Sequence, residues 1–189
     1  MSLKICIAQL NYCVGDMAGN ARQIISAAQQ AYAQGARLIL TPELAICGYA
    51  AEDLYLRPAF IRACDEAVDQ VARELAGLKG LHVVVGSPAA VNAATAPRSR
   101  SVSVPQLFNA AHVLWEGQRI HTYAKRELPN YQVFDERRYF VPGDKPCVFT
   151  VGQGDDEIRV GLLICEDAWF EEPALKARDA GAQVLAIIN

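Results

Sequence analysis

Residues 3–44 place the tightest limit on how this chain can fold. LKICIAQLN (3–11) is an apolar strand-like run, and GNARQIISAAQQAYAQGA (19–36) carries Ile24, Ala28 and Ala31 at helical spacing. RLILTPEL (37–44) is a second apolar run, broken at Pro42. Asn20 is placed to cap the helix and Gly35 to end it. A strand, a crossing helix and a strand on short connections imply parallel pairing, with the helix on one face of the sheet. The same order returns near the other end, as RVGLLIC, a helix over 172–182 and the strand QVLAIIN over 183–189. There Pro173 suits a first helical turn and Gly181 suits the end of one. The fold class is therefore α/β.

Between these units, 52–78 reads as helical with an interruption near Pro58. LHVVVGSP (81–88) reads as a strand ending in Gly86 and Pro88, and 92–105 as a small-residue, basic loop. Residues 107–124 read as a hairpin turning at Glu116–Gly117–Gln118. Residues 125–146 hold Pro129, Pro142, Gly143 and Pro146 and read as irregular. CVFTV and IRVGLLIC flank GQGDDE as a second hairpin. The final apolar run is still in progress at Asn189, so the expectation is a shortened domain.

With 189 residues, 52% of them hydrophobic, the chain has enough apolar surface for one core. A net charge of −3 gives no reason to expect a nucleic-acid partner. No stretch of about 18 apolar residues suggests a membrane span. MSLKICIAQL lacks a small-residue cleavage site and reads as a first strand rather than a secretion signal. The six cysteines form no C-x-x-C pair, which favours reduced thiols and a cytoplasmic location. His82, His112 and His121 are scattered over strand-like runs, so no structural metal is expected.

Three reactive side chains stand at the end of an apolar strand or in an irregular segment beside one. They are Glu43 in LILTPELAICGY, Lys125 in HTYAKRELPNYQVFDERRYF and Cys165 in GLLICEDAW. Taken singly, each has an ordinary reading: a turn acid, a surface lysine, a packed core thiol. Taken together they form a mechanism. Glu43 can accept the Cys165 proton as general base. Lys125 supplies the cation that offsets the adjacent acids Glu166 and Asp167 and meets a developing oxyanion. The backbone N–H after Cys165, at a strand-to-helix turn, adds a second oxyanion donor. This set suits attack on an amide or nitrile carbon with loss of ammonia.

In their order, TPELAICGY, YAKRELPNYQVFDERRYF and GLLICEDAW resemble the Glu–Lys–Cys motifs of the nitrilase, or carbon–nitrogen hydrolase, superfamily. Within it, KRELPNYQVFDERRYF and ICEDAW resemble the glutaminase domain of glutamine-dependent NAD synthetases. The resemblance runs from Ile5 to the last residue. It implies an α-β-β-α sandwich of two mixed sheets between helical layers, incomplete at the C-terminus. It implies Cys165 as a nucleophile forming a γ-glutamyl thioester, Glu43 as base and then acid, and Lys125 with the Glu166 backbone N–H as oxyanion donors. It places Tyr131 and Glu136 in the substrate site. Tyr49, Phe134 and Trp169 are either pocket walls or plain core aromatics.

The synthetase part of that family carries an SGGxDS-type motif that is absent from these residues. Residues 1–189 are thus expected to be a partial glutaminase domain that needs no cofactor. ATP, magnesium and deamido-NAD are expected in a synthetase domain outside it. Glutamine is the expected substrate, and a homo-oligomer the expected assembly. The alternatives are a stand-alone amidase acting on another small amide, and an inert fragment.

Overall fold

A computed structural model describes residues 3–91, 106–154 and 157–189. The loop expected at 92–105 and two residues of the GQGDDE turn lie outside the described residues. Strand β1 (Ile5–Ile7), helix α1 (Met17–Ala33) and strand β2 (Leu38–Leu40) form the expected parallel unit. The helix cap differs from expectation. Asp16 accepts from the Gly19 N–H at 2.8 Å and is the N-cap. Asn20 lies inside the helix, fully buried, where its side chain bonds Cys13 and the Ile46 carbonyl. The earlier acid reaches the free N–H groups of the first turn, and Asn20 is left to tie the helix to the loop after β2.

Pro58 ends a one-turn 3-10 helix (Glu52–Leu56) and opens α2 (Pro58–Glu74), where its missing N–H costs nothing. Strand β3 (His82–Ala90) runs on through Gly86 and Pro88, past its expected end, because β4 (Leu107–Trp115) pairs with it over its whole length. Strands β4 and β5 (Gln118–Ala124) join at Glu116 and Gly117, both with positive φ, as a two-residue hairpin requires. Strands β6 (Val148–Val151) and β7 (Ile158–Ile164) form the second hairpin. Helix α3 (Glu171–Asp179) then crosses to β8 (Val184–Ile188), which lies parallel to β7.

Two mixed sheets result, five-stranded β1-β2-β3-β4-β5 and three-stranded β6-β7-β8. Strand alternation sorts the side chains. Ile39, Val83 and Val85 join Ile24, Ala28, Val68 and Val71 of α1 and α2 in one core. Leu38, Leu40, Val84 and Val113 point the other way and pack on Phe149, Val160, Leu162 and Ile164 of the second sheet. On that sheet's outer face, Gly161 leaves room for Ala177 of α3, whose Cβ would lie 3.1 Å from a Cβ at 161. Helices, sheet, sheet and helix follow one another as the expected sandwich. No helix among the described residues is long and apolar enough to cross a membrane.

Candidate active site

Glu43 lies in the turn that leaves β2, Lys125 directly follows β5, and Cys165 directly follows β7. Two of these exits use left-handed backbone, Leu44 at φ 53° and Cys165 itself at φ 45°. A non-glycine residue held there is strained by about 1–2 kcal/mol, a conformation found where a site dictates side-chain direction. The Glu43 turn presses against β3 at Gly86, where an added Cβ would fall 2.4 Å from the Pro42 carbonyl oxygen and 2.5 Å from the Leu44 nitrogen. Behind Lys125, Gly143 plays the same part and donates its N–H to the Lys125 carbonyl at 2.8 Å.

The three reactive residues converge. Lys125 is wholly buried, and its Nζ donates to Glu43 Oε1 at 2.7 Å and to Glu136 Oε1 at 2.9 Å. Burial opposes its charge, but the two carboxylates outweigh that and raise its pKa above the ordinary lysine value. Cys165 lies near Glu43, whose charge acts on its thiol. Burial, and then the Glu43 charge, push the thiol up to about 11. Cys165 therefore rests as a thiol beside a base, not as a preformed thiolate. Glu136 is raised to about 7, by burial first and by Glu43 second.

Lys125 was expected to offset Glu166 and Asp167, and this needs correction. Its charge is committed to Glu43 and Glu136, and the two acids after Cys165 have partners of their own. Asp167, wholly buried, accepts from the N–H groups of Ile164, Arg126 and Glu127 at 3.0, 2.9 and 2.8 Å, and from the Tyr123 hydroxyl at 2.8 Å. One carboxylate thus binds the nucleophile's turn to the segment that starts at Lys125. Glu166 accepts from the Tyr131 hydroxyl at 3.0 Å, so the two expected substrate residues meet each other at the mouth of the site.

Tyr49, Phe134 and Glu136 line a cleft of about 520 Å³ together with Tyr55, Arg138 and Phe140. Phe134 also meets Tyr131 edge to face, with centroids 5.7 Å apart. Trp169, at 79% exposure, is neither a wall of that cleft nor a core aromatic. Its place at the last position of the 3-10 turn Cys165–Trp169 points it outward.

Asn109 and Asp167 escaped the sequence reading as site residues. Asn109, fully buried on β4, donates from Nδ2 to Glu43 Oε1 at 2.6 Å and to Glu136 Oε2 at 3.4 Å. A lone amide in the apolar run LFNAAHVLW was its only signal.

Comparison with known proteins agrees with this geometry. Residues 4–189 match the carbon–nitrogen hydrolase family model. A glutamine-dependent NAD(+) synthetase from Xylella fastidiosa is 42% identical over 190 residues, spanning 99% of this chain and 31% of its own length. The chain thus spans about a third of the curated relatives it matches. The structure of a glutamine-dependent NAD+ synthetase from Acinetobacter baumannii, in complex with ADP, superposes with TM-score 0.79 at 31% identity, over 97% of this chain and 32% of that one. A variant of an amidase from Nesterenkonia sp. AN1 superposes with TM-score 0.75 at 26% identity, over 98% of this chain and 64% of that one. It carries the acetamide moiety of fluoroacetamide on its active-site cysteine. With three dispersed motifs gathered at one rim of a two-sheet sandwich, and a family match over almost its whole length, this chain belongs to the carbon–nitrogen hydrolase family.

Proposed function

We propose that this chain performs the glutamine-hydrolysing step of a glutamine-dependent NAD synthetase, releasing ammonia through a thioester on Cys165. The observation that carries the reading is the buried set of Glu43, Lys125 and Glu136 beside a half-buried thiol. An unionised thiol needs its proton removed as it attacks, and Glu43 is the carboxylate near it that can accept the proton. Sulfur bonds to the amide carbon, and the carbonyl electrons move onto oxygen. Lys125 and the N–H after Cys165 are the donors for that oxyanion. Glu43 then returns the proton to nitrogen, and ammonia leaves as the thioester forms. Water, deprotonated by Glu43, attacks the thioester, and glutamate departs as the thiol regains its proton.

Glu166 and Tyr131 at the mouth, and Tyr49 and Phe134 on the wall, are the groups proposed to hold the substrate. ATP, magnesium and deamido-NAD belong in this reading to a synthetase part outside these residues. The chain's assembly as a homo-oligomer and its cytoplasmic location, which the free cysteines suit, belong to the same proposal. A second reading has its own support. The Nesterenkonia amidase shares the fold over nearly all of this chain, so a different small amide is the competing substrate.

The test is ammonia release from glutamine, set against acetamide and asparagine, with Cys165→Ala as control. Release from glutamine above the other amides, abolished in the variant, supports the proposal. Preference for a simple amide transfers the chain to the second reading, and release that survives Cys165→Ala rejects both.

A further inference from the structure

We infer that Asn109 is a positioning residue that fixes the orientation of Glu43, reserving Glu43 Oε2 for the Cys165 proton. Glu43 Oε1 accepts two hydrogen bonds at once, from Lys125 Nζ at 2.7 Å and from Asn109 Nδ2 at 2.6 Å. Among the described residues Oε2 has neither donor, which leaves it as the oxygen open to the thiol. The second Nδ2 hydrogen reaches Glu136 Oε2 at 3.4 Å, so one neutral amide spans both carboxylates that share Lys125.

The amide's orientation is dictated by the site. Turned over, its carbonyl oxygen would face two carboxylates. In the orientation adopted, Asn109 Oδ1 is buried with no hydrogen-bond partner among the described residues. An acceptor left unsatisfied in the interior is unfavourable, and it is tolerated here because the donor end is what the carboxylates require.

The groups facing Glu43 come from several elements. They are Lys125 after β5, Glu136 on its 3-10 turn, Tyr49 in the loop after β2, and Cys165 after β7. Lys125 is the only cation in that set, and it is divided between two acids. Hydrogen bonds to the charged form of an acid favour that form. Without Asn109, Glu43 and Glu136 would share one lysine, and Glu43 would lose the donor that fixes which of its oxygens faces the thiol.

This inference rests on the Cys165–Glu43 pairing proposed above, but alkylation needs no glutamine. A chain that releases no ammonia therefore leaves it standing. The experiment is the rate of carboxamidomethylation of Cys165 by iodoacetamide against pH, followed by peptide mass spectrometry on the native chain, Asn109→Asp and Asn109→Ala. In this reaction the sulfur–carbon bond forms, iodide leaves, and the thiol proton passes to Glu43. Native Cys165 should show an acid limb in its alkylation rate. In Asn109→Asp, which keeps the shape but exchanges the donor for a third carboxyl, the limb should move up by about one pH unit or more. Asn109→Ala should move it in the same direction.

Buried Cys64 reports folding in each sample, because it stays unlabelled only while the fold is intact. A limb at the native pH in both variants, with Cys64 protected, overturns the inference. Labelling of Cys64 in both variants also overturns it, since Asn109 would then be structural.

Discussion

Asp167 supports the sharpest quantitative prediction, because four donors converge on a carboxylate with no solvent exposure. In Asp167→Ala, three backbone N–H groups lose a charged acceptor, while the Tyr123 hydroxyl can rotate away. Each hydrogen bond to a charged group contributes roughly 1.5–3 kcal/mol, but neighbouring bonds are not additive. Loss of one buried charged partner from such a network costs about 3–5 kcal/mol, and that range is the expectation for Asp167→Ala. Asp167→Asn keeps one oxygen and turns an NH2 toward donors, so about 2 kcal/mol is expected. Tyr123→Phe removes a single bond and leaves three donors on the carboxylate, so it should cost roughly 1.5 kcal/mol, the low end of that range. Urea unfolding at neutral pH, followed by tryptophan fluorescence, measures all three. The reasoning predicts the order Ala, Asn, then Phe. Asp167→Asn within about 0.5 kcal/mol of the native chain would refute the view that this carboxylate holds the two catalytic segments together, since that is the scatter of neutral surface changes.

Lys125→Met should lower ammonia release at saturating glutamine by about 100-fold or more, as expected for loss of an oxyanion donor. Unchanged turnover would remove Lys125 from the mechanism. Glu136 is held above the usual carboxylate range, up to about 7, so its protonated form favours the folded state. The unfolded chain then binds fewer protons than the folded one between the ordinary carboxylate pKa and about 7, and this group's contribution falls as pH rises through that window. Glu136→Gln should therefore gain stability relative to the native chain between pH 5 and 7, read from urea midpoints at both values. A constant difference would contradict this. Gly86→Ala forces a Cβ onto the backbone of the Glu43 turn and should destabilise by about 1–3 kcal/mol, with a loss of turnover that Cys165 alkylation mirrors.

Much of the architecture is local and was therefore legible. Pro58, the Glu116–Gly117 turn and the two strand–helix–strand units all act over a few residues. What failed depended on distant partners. Gly86 and Pro88 look like a strand end, yet β3 continues because Ala111 and Asn109 pair opposite them. Asn20 looks like a cap, yet its partners include Ile46, 26 residues away. The site divides in the same way. Glu43, Lys125 and Cys165 announce themselves by standing at strand exits. Asn109 acts on a carboxylate 66 residues away, and the N–H groups that hold Asp167 include two from 40 and 41 residues earlier. Asp167 therefore looked like an obstacle to a reactive thiol, although it holds that thiol's turn in place.

The central claim is that Cys165 attacks an amide carbon and carries the acyl group. The most direct measurement is peptide mapping after brief incubation with glutamine and an acid quench. The account predicts the mass of one glutamyl group on the peptide containing Cys165, and on no other cysteine peptide. Ammonia release with no such adduct, or an adduct on Cys13 or Cys6 in its place, would contradict it.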